Sequence, residues 1–93
     1  GSKSENINEF IEKGAIIIDV RRVGEFQGGH IKGSKNIPLN TIESKINEIK
    51  KTNKPVIACC ASGMRSAQAT SILKQNGIEA INGGGWSSLQ NKL

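Results

Sequence analysis

The stretch from Lys54 to Gly77, KPVIACCASGMRSAQATSILKQNG, carries the reading of the fold. Its first part, KPVIAC, is a short apolar run entered through Pro55, and such a run suits a strand buried on both faces. Its last part, SAQATSILKQNG, predicts a helix that starts at Ser66. Ala69, Ile72 and Leu73 fall on its inner face, and Gly77 serves as its stop. Between strand and helix lies a tight loop of small residues. A strand, a tight loop and a helix N-terminus in succession make an anion cradle. Successive backbone N–H groups point inward, and the helix dipole adds positive potential. Gly63 lets the chain reverse there without a Cβ clash.

The same alternation extends outward in both directions. SENINEFIEKG predicts a first helix, capped by Ser4, with Ile7, Phe10 and Ile11 on one face and Gly14 as its stop. AIIIDV is a second buried strand. RRVGEFQGGHIKGSKNIPL is punctuated by glycines and Pro38. It reads as loop with one helical turn and a short extended piece at Asn36–Ile37. NTIESKINEIKK predicts a helix with an Asn40–Glu43 capping box and an inner face of Ile42, Ile46 and Ile49. IEAI is a third short strand, and NGGGWSSLQNKL a glycine turn leading into a terminal helical turn. Strands alternating with helices indicate an α/β fold with a parallel sheet. Right-handed crossovers then gather the loops that follow the strands on one edge, where ligands bind.

Ninety-three residues make one domain, assigned to residues 4–93, with residues 1–3 read as a tag remnant and disordered terminus. Gly1 and Ser2 resemble an expression scar, so the start of the chain says little about a natural leader. The compartment is read as cytoplasmic, or periplasmic if a leader once preceded the chain. No apolar run approaches the ~20 residues that a membrane helix needs, so no membrane is expected. The net charge is +5, but ten of the thirteen basic residues are lysines scattered along the chain, and aromatics are only 3%. That pattern argues against nucleic acid and for a mild attraction of small anions. The two cysteines are adjacent, and a vicinal bridge would strain the peptide between them. With no CxxC pair and His30 the only histidine, no metal site is expected either. Free thiols remain, in keeping with a reducing compartment or a catalytic role.

A free cysteine is most often a small buried hydrophobe. Here it is joined by Ser62, Gly63, Arg65 and a helix start, and that conjunction argues for a site. A cysteine at the mouth of the cradle is a thiolate near neutral pH, its pKa pulled down by the amides and by Arg65. Counted from Cys59, five residues intervene before Arg65; counted from Cys60, four. A phosphoryl group needs a wide cradle, a general acid and a water route. A persulfide sulfur needs a tighter ring of N–H donors and no proton shuttle. The counts by themselves leave both cysteines open.

The segment DVRRVGEFQGGHIKGSKNIPL, Asp19 to Leu39, resembles the first signature of the rhodanese family. The likeness rests on Asp19-Val20-Arg21, Glu25-Phe26, Gly29-His30-Ile31, Gly33-Ser34 and Asn36-Ile37-Pro38. VIACCASGMRSAQAT resembles that family's active-site segment, with C-x-S-G-x-R-S fitting Cys60 through Ser66. INGGGW resembles the glycine turn after its last strand. The likeness runs from about Asn6 to Leu89. It implies a single-domain sulfurtransferase with the rhodanese-like three-layer fold, a central and mainly parallel sheet flanked by helices on both faces.

The resemblance also implies roles. The family's serine-glycine pair stands two and three places after the nucleophile, which assigns that role to Cys60 and leaves Cys59 as a strand residue facing the core. Cys60 to Arg65 is a six-residue loop, the length of the sulfur-transferring members; the related cell-cycle phosphatases carry one residue more, which fits only from Cys59. The implied cycle has the Cys60 thiolate attack a donor such as thiosulfate, with sulfite leaving. The Cys60 persulfide then passes its sulfur to cyanide or a thiol. No cofactor is needed beyond that covalent intermediate. The backbone amides of Ala61, Ser62, Gly63, Met64 and Arg65 form the anion-binding loop, and the Arg65 side chain guides the anion. Asp19 accepts from loop amides, while Arg21 and Glu25 pair to fix the first loop. His30 is read as structural and Trp86 as a cover over the rim or core. Ala61 departs from the charged or polar residue of many relatives, which bears on donor preference, and Leu89 stands where a second tryptophan is common. The partners are a small anionic sulfur donor, a thiol or cyanide acceptor, and a sulfur-relay protein. Two alternatives share the residues: a phosphatase of related fold, and a non-catalytic sulfur carrier or sensor.

Overall fold

The computed structural model describes residues 6–93. In chain order the elements are α1 (Ile7–Glu12), β1 (Ile16–Asp19), α2 (Val23–Gln27), β2 (Lys35–Asn36), a 3-10 segment (Leu39–Lys45), α3 (Ile46–Lys51), β3 (Val56–Cys60), α4 (Met64–Gln75), β4 (Ala80–Gly85) and α5 (Trp86–Gln90). The strands form one sheet in the order β2-β1-β3-β4, with every neighbouring pair parallel. From β1 the chain steps outward to β2, then crosses back to β3 and β4. The C-terminal ends of β1 and β3 therefore flank the point where the strand order reverses, the usual place for a ligand in an open α/β sheet.

The core divides by the pleat. Successive residues of a strand point to opposite faces, and β3 is buried along its whole length. Val56, Ala58 and Cys60 join Ile18, Val20, Ile42, Ile46, Ile49, Ala69 and Leu73 in one apolar cluster. Ile57 and Cys59 join Phe10, Ile31 and Leu89 in the other, with Trp86 packed against it. The long α4, α3 and the 3-10 segment thus cover one face, and α1 and α5 the other. These are the three layers that the family resemblance implies.

Several local expectations are corrected. The cap placed at Ser4 lies outside the described residues; α1 starts at Ile7, and Asn6 caps it, in a reciprocal capping box with Glu9. Ile11, expected on the inner face, is 41% exposed, and Phe10 alone in that helix is fully buried. The Asn40–Glu43 box does not form. The Pro38 carbonyl instead accepts from the Thr41 amide (2.8 Å) and hydroxyl (2.9 Å), and Ser44 donates to the Thr41 carbonyl (2.7 Å). These bonds at three-residue spacing tighten the segment to 3-10 geometry, while Ile42, Ile46 and Ile49 stay buried as expected. The extended piece expected at Asn36–Ile37 is β2, Lys35–Asn36.

Two further corrections bear on the site. Helix α4 begins at Met64, two residues before Ser66, with Gly63 as cap at φ 104°. At its far end the Gly77 and Ile78 amides return to the Lys74 and Leu73 carbonyls, the paired bonds of a Schellman stop. Strand β4 continues through Gly85, so the expected glycine turn is itself strand. The register slips between Ala58 and Cys59: Ala58 faces Asn82, and Cys59 faces Gly84. Gly83 permits this. A Cβ there would lie 2.8 Å from Ile57 Cγ2, 3.0 Å from Leu89 Cδ2 and 3.1 Å from the Ala58 carbonyl. Gly83→Ala is expected to destabilise the protein by about 1–3 kcal/mol, since two core side chains and a backbone oxygen must give way together. A urea unfolding midpoint within error of the parent would refute the close approach.

Candidate active site

Strand β3 delivers Cys60 to the sheet edge, and Gly63 turns the chain back over it. The Gly63 amide donates to Cys60 Sγ at 3.0 Å and the Ser66 amide at 3.4 Å, with the Ser66 hydroxyl also at 3.4 Å. These donors come from the cap and first turn of the twelve-residue α4, where amides lack intrahelical partners. Burial pushes the Cys60 thiol up. The Ser66 hydroxyl and the amides of Ser66, Gly63 and Ser62 outweigh it and hold the pKa below the ordinary cysteine value. Cys59 points to the other face. Burial among apolar side chains, with Asp19 nearby, pushes its pKa up to about 12. Both cysteines are free and fully buried. The loop over Cys60 is open to solvent at Ala61, Ser62 and Met64, the last 76% exposed.

The glycine end of β4 braces this loop. A Cβ on Gly85 would sit 2.8 Å from the Ala61 carbonyl, and one on Gly63 would sit 3.3 Å from Gly84 Cα. The two backbones pack against each other with no side chain between them.

The end of β1 supplies a buried ion pair. Arg21 Nε donates to both Asp19 oxygens (2.9 and 3.0 Å), Nη2 donates to Oδ2 (2.8 Å), and the Arg21 amide donates to Oδ1 (3.0 Å). The remaining guanidinium N–H groups reach the carbonyls of Glu25 (3.2 Å) and Gly29 (2.7 Å), and the Trp86 ring lies 4.8 Å beneath. Arg21 therefore ties down the first loop, but not through the Glu25 carboxylate. That carboxylate takes Arg65 instead, in a two-pronged pair at 2.7 and 3.1 Å. The Arg65 guanidinium, with the Arg22 amide donating to Oε1 at 2.9 Å, holds Glu25 well below the usual carboxylate range, at about 2. A cation near a helix N-terminus is unfavourable without an anion, and Glu25 supplies one. His30 stacks on Phe26 and donates from Nδ1 to its carbonyl (2.8 Å), a local structural bond.

Sequence reasoning passed over two members. Ser66 is the last letter of C-x-S-G-x-R-S, and its position in the sequence signals only a helix start. Asn82 had no local signal. Its side chain accepts from Ser66 Oγ at 2.6 Å and donates to the Gly63 carbonyl at 3.0 Å. Among the described residues no cluster of histidine, cysteine or carboxylate side chains is grouped to hold a metal. No helix there is long and apolar enough to cross a membrane.

The chain matches the rhodanese-like domain family over residues 3–92. It is 46% identical over 67 residues to YqhL of Bacillus subtilis, an uncharacterized protein, an alignment covering 72% of this chain and 52% of that one. The chain thus spans about half the length of that relative. It is 34% identical over 74 residues to the thiosulfate sulfurtransferase GlpE of Pseudoalteromonas translucida, covering 78% and 70% of the two chains. Among solved structures, a rhodanese-like domain protein from Staphylococcus aureus superimposes with a TM-score of 0.73 at 37% identity, covering 82% of this chain and 74% of that one.

The charge pair gives a direct test. Glu25 is depressed in the folded protein, so its share of stability is complete above the unfolded carboxylate pKa, ~4.3, and is lost as pH falls through about 2. In Arg65→Ala the Glu25 titration, followed by carboxylate NMR shifts, is expected to rise towards the ordinary range and to stop short of it, because the Arg22 amide still donates to Oε1. A midpoint that stays near 2 would show that another group holds the carboxylate.

Proposed function

This chain belongs to the rhodanese-like domain family, and on that premise we propose that it is a sulfurtransferase in which Cys60 carries the migrating sulfur as a persulfide. The observation that carries this reading is the convergence of the Gly63 and Ser66 amides on Cys60 Sγ, with Cys59 turned to the opposite face. In the first step the Cys60 thiolate attacks the outer sulfur of a donor of the thiosulfate class. A new S–S bond forms, the donor's S–S bond breaks, and its electron pair leaves with sulfite. In the second step cyanide or a thiolate attacks the outer sulfur of the persulfide, and Cys60 leaves as thiolate. The same amides stabilise the anionic sulfur at both stages. Cys60 is fully buried, so the donor enters where the exposed residues Ala61, Ser62 and Met64 part.

Arg65 guides the donor while sharing its guanidinium with Glu25. The pair is neutral as a whole and partly open to water, so its pull on a dianion is weaker than that of a free cation, and the amides bear more of the load. This placement also weighs against a phosphatase. Asp19 is bound to Arg21, and Glu25 stays ionised down to about 2, so neither carboxyl is poised to protonate a leaving oxygen. A carrier module that receives sulfur from a partner protein would use the same Cys60 and differ in what docks.

Treatment with thiosulfate, followed by mass spectrometry of the digested protein, is expected to show one added sulfur on the Cys60 peptide. Cys60→Ser is expected to reduce thiocyanate formation to background, while Cys59→Ser keeps most of the rate and loses about 1–3 kcal/mol of stability from the buried hydroxyl. Equal loss of activity in two folded variants would reject Cys60 as the nucleophile. Robust release of phosphate from an aryl phosphate, without sulfur transfer, would overturn the reading altogether.

A further inference from the structure

Asn82 is a polar side chain at the site with three bonds and no part in the chemistry above. Its orientation is dictated by the backbone. Oδ1 accepts from the Gly84 amide at 2.9 Å, and Nδ2 donates to the Gly63 carbonyl at 3.0 Å. The Gly84 amide can only donate and the Gly63 carbonyl can only accept, so the amide group cannot be reversed. The third bond then has a fixed direction. Oδ1 carries no hydrogen, so at 2.6 Å the Ser66 hydroxyl must be the donor.

A hydroxyl has one proton. With that proton on the Asn82 side, Ser66 turns a lone pair towards Cys60 Sγ, 3.4 Å away. The lone pair can accept from a protonated thiol. It opposes a thiolate or a persulfide anion unless the O–H swings round to the sulfur and leaves Oδ1 with the Gly84 amide alone. We propose that Asn82 is a positioning residue that competes with Cys60 for the Ser66 proton, holding it while Cys60 is a thiol and yielding it when the sulfur becomes an anion. On ionisation the S–H proton goes to water. Ser66 keeps its own proton and changes only its direction. The proposal rests on Cys60 as the reacting sulfur.

The other charges around Cys60 are Arg65 at the start of α4, its partner Glu25 on α2, and the Asp19–Arg21 pair at the end of β1. Cys59, on the adjacent position of β3, does not ionise until about 12. Thiolate absorbance in the ultraviolet near neutral pH therefore reports Cys60 alone.

The experiment is a pH titration of that absorbance in the parent, Asn82→Ala, Ser66→Ala and the double variant. Asn82→Ala is expected to lower the Cys60 midpoint by about half a pH unit, or about threefold more thiolate below it, because the competitor for one hydrogen bond is gone. In the Ser66→Ala background the same change is expected to leave the midpoint where it is. An equal shift in both backgrounds, or no shift in either, overturns the proposal, since a purely structural role for Asn82 would not depend on the Ser66 hydroxyl. If circular dichroism shows that Asn82→Ala is unfolded, Asn82→Asp replaces it. That variant keeps an acceptor and adds a charge, so the midpoint rises, and the rise must be smaller without Ser66. Because no sulfur donor is used, failure of sulfur transfer and failure of this coupling are read separately.

Discussion

Two stretches of backbone, residues 61–63 and 84–85, lie closer together than side chains would permit, and the site depends on that approach. The carbonyl of Ala61 lies only 2.8 Å from where a Cβ of residue 85 would be, and Gly84 Cα lies 3.3 Å from where a Cβ of residue 63 would be. With the loop pressed against β4, the Gly63 and Ser66 amides have a fixed origin and meet at the Cys60 sulfur. Gly63 serves a second purpose. At φ 104° it reverses the chain into α4, a conformation that costs other residues strain. The glycines thus bring N–H donors onto the Cys60 sulfur at a strand end with little help from charged side chains.

The charges nearby are kept in two separate pairs, and their surroundings divide the work between them. Asp19 and Arg21 are buried, with every polar atom of the pair bonded, and Arg21 spends its spare N–H groups on carbonyls of the first loop. A pair of this kind gains little over apolar packing but is costly to break, so it acts as a fastening for the geometry. Glu25 and Arg65 are partly exposed and paired across the mouth of the site, with the Arg22 amide also donating to Glu25 Oε1 at 2.9 Å. Salt and water weaken that pair, so it is easier to rearrange than the buried one.

The two neighbouring thiols show how much environment decides. They are one residue apart on one strand and equally hidden from solvent. The pleat sends Cys59 among Phe10, Ile57 and Leu89, where an anion has no donors, and its pKa rises to about 12. It sends Cys60 towards the amides of a helix start, and its pKa falls. Burial opposes ionisation at both positions; only at Cys60 do hydrogen-bond donors outweigh it.

Much of this was legible in the residues themselves. The apolar runs AIIIDV and VIACC declared β1 and β3, the isoleucines at helical spacing declared the buried face of the 3-10 segment and α3, and the resemblance, through its Ser62-Gly63 register, pointed to Cys60 as the candidate nucleophile. Such features are local: they record a period, a turn or a motif in adjacent residues. The extension of β4 into its glycines, the earlier start of α4, the partnership of Glu25 with Arg65 and the place of Asn82 were not legible. Glu25 and Arg65 stand 40 positions apart, and Ser66 and Asn82 stand 16 apart. Each pair meets only because parallel crossovers bring strand ends to one edge of the sheet, and the register slip opposite Cys59 sets which residues arrive there. The sequence by itself determined most of the elements and, through the family resemblance, singled out Cys60 as the candidate nucleophile. The tertiary structure decided which side chains share a proton or a charge around it, because those choices turn on the register between strands and not on any pattern along the chain.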